Sequence, residues 1–157
     1  MLVRGSPKTA QLLVIGYGNE LRSDDGVGPK IANEVAKWKL PGVQTLACQQ
    51  LTPELADPIA SAARVVFVDA AIGTSGPVQL LHIGPEEIYQ VMTHATNPRA
   101  LLGLARRAFG RCPPATWLTI PVEDVDFGEE LSPLARNGFV SALEQIRLLT
   151  SAATSKV

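Results

Sequence analysis

The 157-residue chain carries almost no net charge and has no long apolar run and no paired cysteines, and each absence removes a class of function. A formal charge of −1 leaves no electrostatic footprint for nucleic acid. No apolar run approaches the roughly 18 residues that a membrane span requires. The opening MLVRGSPKTA lacks the apolar core of a signal peptide, so a cytoplasmic protein is the expectation. Cys48 and Cys112 stand alone rather than in a C-x-x-C pair, which argues against a thiolate zinc site or a disulfide framework and reads both as ordinary reduced thiols. No repeat or composition shift marks a linker, and 46% apolar residues suffice for one core, so a single domain over residues 1–157 is expected, with an ordered part from about 10 to 151 and frayed ends.

What is present concentrates between Leu12 and Gly28, in LLVIGYGNELRSDDGVG. Leu12, Leu13, Val14 and Ile15 form a short, partly β-branched apolar run that suits a strand buried on both faces. Gly16 and Gly18 allow a sharp turn or close backbone approach. Asp24 and Asp25 precede Val27 to Trp38, where Val27, Ile31, Val35 and Trp38 recur at helical spacing, so one or both acids lie near a positive helix N-terminus. One cap needs one acid, and Asp24 is read as that cap or turn residue. A dinucleotide cradle would need a third glycine where Leu21 stands, and Glu20, Asp24 and Asp25 would repel an anion. A P-loop fails too, because no lysine followed by serine or threonine closes the turn.

Strand-like and helix-like patterns then alternate. Val43 to Cys48 reads as a second strand, and Thr52, Pro53 and Glu54 open a short helical pattern with a cap-like threonine. Arg64 to Asp69 is the clearest later strand, Val78 to Ile83 a fourth, and Thr116 to Val122 a fifth. Asn97-Pro98 opens a helix ended by Gly110, and Ser132-Pro133 opens the last. The order predicts an α/β fold: a twisted, mostly parallel five-stranded sheet sandwiched between helices.

In such a sheet, function gathers beyond the carboxyl ends of the strands. Asp25 follows the first strand and turn, Asp69 ends RVVFVD, and His94 lies in the polar segment Thr93 to Asn97 before a helix. His82, within Val78 to Ile83, reads as a strand-surface or structural residue. Two carboxylates and an imidazole are ligand types for nickel or zinc with positions left open, and are equally the parts of a general acid/base cluster. Metal-assisted hydrolysis and metal recognition both follow from them. No serine or cysteine nucleophile is paired with a histidine, which makes an acyl-enzyme the weaker chemistry.

These residues resemble the hydrogenase maturation endopeptidases, which process the large subunit of nickel-iron hydrogenases. The resemblance rests on GYGNELRSDDGVG, RVVFVDA, THATNPRALLGLA and LTIPVEDVDFGEELSP, in that order, and spans Leu12 to Leu149. It implies a protease that removes a short C-terminal extension once nickel is inserted into its substrate. The family's acidic positions carry over to Asp25 and Asp69, and its histidine to His94. Some relatives place the histidine directly after a Ser-Pro pair, where this chain has Arg99 after Asn97-Pro98; others place it shortly before the proline, as His94 stands. Gln49-Gln50 replaces a glycine-rich turn, so the substrate-facing loop Gln49 to Pro53 is expected to differ in specificity. Glu20 is a surface neighbour of this set rather than a ligand.

The resemblance implies that Asp25, Asp69 and His94 engage nickel carried by the precursor's thiolates rather than permanently bound to this chain. Water activated against the scissile carbonyl, or an aspartate acting as general base in the manner of an aspartyl protease, remain open. The partner implied is a nickel-iron hydrogenase large-subunit precursor, with no nucleic acid and no membrane, and a single cut per substrate gives no need for more than a monomer. The alternatives are a noncatalytic nickel-sensing chaperone or binding module for hydrogenase assembly and, more distantly, a small nucleotide-binding α/β domain.

Overall fold

A computed structural model describes residues 10–86 and 97–154. The elements run β1 (Leu12–Tyr17), α1 (Val27–Ala36), β2 (Val43–Cys48), α2 (Ala56–Ser61), β3 (Val65–Ile72), β4 (Gln79–Ile83), α3 (Pro98–Phe109), β5 (Ala115–Val122) and α4 (Pro133–Thr154). The sheet order is β2-β1-β3-β5-β4, parallel except for the antiparallel β4–β5 pair. This is the single-domain, mostly parallel α/β sandwich that the alternating pattern predicts.

Alternation along the strands divides the core into two layers. Leu12, Val14, Val66, Val68, Leu118 and Ile120 pack against α1 and α4, through Ile31, Val35, Ala142 and Ile146. Leu13, Ile15, Val65 and Phe67 face the other way, onto Ile59 of α2 and Leu101, Leu102 and Ala105 of α3. β1 reads as a continuous apolar run because both of its faces are covered, and Leu12 to Ile15 have no exposed surface.

Helix ends follow local chemistry with two exceptions. The Asn97 side chain accepts from Ala100 N at 2.9 Å, and Gly110 closes α3 in a left-handed conformation at φ 74°. α4 starts at Pro133 with Ser132 Oγ accepting from Ala135 N. Thr52 holds the extended backbone of a cap, but its hydroxyl makes no capping bond to the short turn Pro53–Leu55. α1 ends at Ala36 rather than Trp38, because Lys39 turns to a positive φ of 51° and breaks the helical path; Trp38 instead lies under the Arg147 guanidinium, 4.0 Å from the ring centre.

The β1–α1 junction is a glycine-on-glycine contact. A methyl group on Gly16 would collide with the Gly28 carbonyl, and one on Gly28 would come 2.6 Å from the Tyr17 and Val68 carbonyls. The start of α1 therefore sits directly against the ends of β1 and β3.

Candidate active site

The turn after β1 carries both acids into a single 3-10 turn, Ser23–Gly26, and sends their side chains in different directions. Of the two roles read for Asp24, helix cap or turn residue, the structure keeps the turn and corrects the cap. The Asp24 side chain makes no capping bond at either helical start. Fully buried, it accepts from Ser132 Oγ at 2.6 Å, Ser132 N at 2.7 Å, and Glu123 N and Asp124 N at 3.0 Å each. Burial alone would push its acid up, but these donors outweigh burial and hold the carboxyl below its ordinary value.

Further bonds lock the β5–α4 connection onto this turn. Ser23 Oγ donates to Asp126 O, Ser23 N to Gly128 O, Gly128 N to Leu21 O, and Arg22 Nε to Val125 O. The segment between Glu123 and Ser132 is thus fixed to the acidic turn by backbone and side-chain bonds alike.

Asp25 faces the carboxyl edge of the sheet, partly exposed. Its Oδ2 accepts from Asn19 N at 2.7 Å, so the turn amide that an anion would need is already taken by a carboxylate. This agrees with the exclusion of a phosphate cradle and fixes one oxygen of Asp25.

Asp69 lies inside β3, opposite Thr119 of β5; the strand continues to Ile72 rather than stopping at Asp69, because β5 goes on pairing with it as far as Val122. The β1–β3 register pairs Leu13 with Val65 and Ile15 with Phe67, and two residues further on it carries Tyr17 to Asp69. The Tyr17 hydroxyl donates to Asp69 Oδ2 at 2.8 Å. Burial is the largest influence on Asp69 and raises it; the Tyr17 hydroxyl and the Ala70 amide pull it back, the charge of Asp25 raises it further, and the result lies above the ordinary carboxylate value. Tyr17 is itself pushed well up, by burial first and then by the negative charge of Asp69, so it remains a donor. The indole N–H of Trp117 lies close enough to act electrostatically on both, yet forms no hydrogen bond of regular geometry with a described residue.

Of the sequence-predicted set, Asp25 and Asp69 come within electrostatic reach of each other at one edge. His94 lies outside the described residues. Among the described residues no group of three His, Cys, Asp or Glu could hold a metal ion; of the expected set, the described residues bring two carboxylates to this edge, one of them bonded to a tyrosine. His82 is exposed on β4, with Nδ1 3.5 Å from Thr116 Oγ1, in keeping with a structural role. Tyr17 and Trp117 are neighbours of Asp69 that the motif reading missed. The signal for Tyr17 was parity: Leu13, Ile15 and Tyr17 share one face of β1.

Clefts flank the turn. One, of about 270 Å³, lies between Gly18 to Leu21 and Ala47 to Gln49, so the loop after β2 faces this edge. The other, of about 250 Å³, includes Asp25 itself.

No protein-family model and no curated protein matches the sequence. Solved structures do. The hydrogenase maturation protease HybD from Thermococcus kodakarensis is 25% identical, with 88% of this chain and 98% of that one covered and a TM-score of 0.67. The hydrogenase maturating endopeptidase HybD from E. coli is 25% identical over 93% and 94%, with a TM-score of 0.66. HycI from T. kodakarensis KOD1, also a hydrogenase maturation protease, shares the fold at 21% identity and a TM-score of 0.66, over 88% and 91% of the two chains.

Proposed function

We propose that this chain, a member of the hydrogenase maturation protease family in fold and motif order, is the endopeptidase that removes the C-terminal extension of a nickel-iron hydrogenase large-subunit precursor after nickel insertion. The observation that carries the reading is the pair Asp25 and Asp69. They lie toward the carboxyl end of a mostly parallel sheet, Asp25 bears electrostatically on Asp69, and each is oriented by a donor, Asn19 N for Asp25 and the Tyr17 hydroxyl for Asp69.

Nickel enters this reaction as part of the substrate. The two carboxylates, with His94 as third member, complete the coordination sphere of an ion held by substrate thiolates without competing for those soft ligands. Cleavage then reports on metal loading. The same aspartates direct a water onto the scissile carbonyl, either through the ion or by accepting its proton. Asp69, whose acid is raised by burial, is suited to take up and return a proton.

The test is incubation of the purified protein with a nickel-loaded, extended large subunit, read by mass spectrometry. Truncation supports the reading. An intact precursor, where a control protease cuts, overturns it, and stable binding without truncation would establish the noncatalytic nickel-sensing role instead. The described residues include no helix long and apolar enough to cross a membrane.

A further inference from the structure

The cleft that includes Asp25 is lined otherwise by Arg22, Ala70, Ile72, Val122 and Val125. Its floor is the paired ends of β3 and β5, where Ile72 stands opposite Val122. Its side wall is the β5–α4 segment, fixed by the Arg22 Nε bond to Val125 O at 3.0 Å. The cleft is therefore built before anything enters it. Ile72 leaves 59% of its surface in solvent beside a candidate catalytic acid. Single exposed apolar side chains are common, but one that walls a cleft containing such an acid is not explained by packing.

We propose that this cleft is a side-chain subsite, taking one aliphatic side chain of the substrate segment that flanks the scissile bond while the peptide backbone passes Asp25. The proposal rests on the endopeptidase reading for what brings that segment to Asp25. At about 250 Å³ the cleft lies below the usual range for whole small-molecule ligands, roughly 300–1,000 Å³, and has room for one side chain. Ala70, Ile72, Val122 and Val125 make one wall of the cleft aliphatic, so an aliphatic side chain lying on that wall withdraws its own surface and theirs from water, whereas a charged one is served only at the Asp25 and Arg22 end. The charged pair, Asp25 and Arg22, marks the cleft's polar part, suited to the backbone amides of an extended chain. Specificity at this position is thus for apolar character and size.

The test uses nickel-loaded precursors in which single residues on either side of the junction, and along the extension, are changed to Leu, Asp or Lys. Binding and cleavage are measured for the wild type and for Ile72→Asp, a change at a half-exposed strand end. At one substrate position the wild type should prefer Leu over Asp and Lys by about tenfold or more in KM and Kd. Ile72→Asp should reverse that preference in favour of Lys. An unchanged preference in Ile72→Asp, or a wild type indifferent to every position, overturns the subsite. Precursors that bind with the reversal but are never cut keep the subsite and overturn the endopeptidase; cutting without side-chain preference does the opposite. Absence of both binding and cutting overturns both.

Discussion

Asp24 and Asp69 are the same residue in two opposite states. Asp24, with no exposed surface, collects four hydrogen bonds from the start of α4 and the end of β5, and its acid is held down. Asp69, only partly buried, has the Tyr17 hydroxyl as its side-chain donor, feels Asp25, and is pushed up. Burial acts in the same direction on both, so what separates them is the donors gathered by Asp24 and the charge of Asp25 beside Asp69. A carboxylate fully served by amides is a structural pin; one left short of donors is available to a ligand or a proton.

The strongest way to break this contrast is to remove a charge on the open side. Asp25→Asn and Asp69→Asn should each lower processing of the nickel-loaded precursor by a factor of about 10³, within the range for loss of an acid/base group, with folding intact by circular dichroism. Full activity in either folded variant would remove that residue from the chemistry.

On the closed side, Asp24→Ala leaves the amides of Glu123, Asp124 and Ser132 without their acceptor and should cost on the order of 3 kcal/mol in denaturant unfolding. The two aspartates should also diverge with pH. Because the folded acid of Asp24 is depressed, its stabilisation is complete above the unfolded value of about 3.9 and is lost as pH falls through the folded value. For Asp69 the sign reverses: its raised acid adds a penalty that is absent below about pH 3.9 and complete above the folded value. At pH 7 Asp69→Asn should therefore melt at or above the wild-type temperature, whereas Asp24→Asn should melt below it. The Asp24→Asn deficit should shrink on acidification. Identical Tm shifts for the two would erase the distinction.

Smaller changes sharpen it. Tyr17→Phe removes the bond to Asp69 Oδ2 and should reduce processing by about tenfold, the worth of one hydrogen bond to a charged group, with little change in Tm. Ser132→Ala removes the shortest bond to Asp24 together with the cap of α4, and should cost about 1–2 kcal/mol of stability while leaving kcat near wild type.

Much of the fold was legible because it is local. The bounds of β2, Val43–Cys48, and both caps of α3, Asn97 and Gly110, follow from residues that act on their immediate neighbours. The sheet and its helix layers follow from their alternation. The site was legible only as far as each motif reached. Asp25, in the turn after β1, and Asp69, behind the apolar run of β3, can be picked out singly, but the Tyr17–Asp69 bond spans 52 positions and depends on the parallel register. The partners of Asp24 stand 99 to 108 positions away, which is why an acid beside a helix start passes for a cap. Pairing distance, rather than residue type, set the limit.

The same separation imposes an order of assembly. During synthesis the chain emerges from its amino end, and Asp24, Asp25 and Asp69 are all present well before Ser132 leaves the ribosome. Until then Asp24 lacks the two donors of Ser132. The final helix is thus a late-arriving latch on Asp24: a nascent chain that stops short of Ser132 carries that acid with two of its four donors missing.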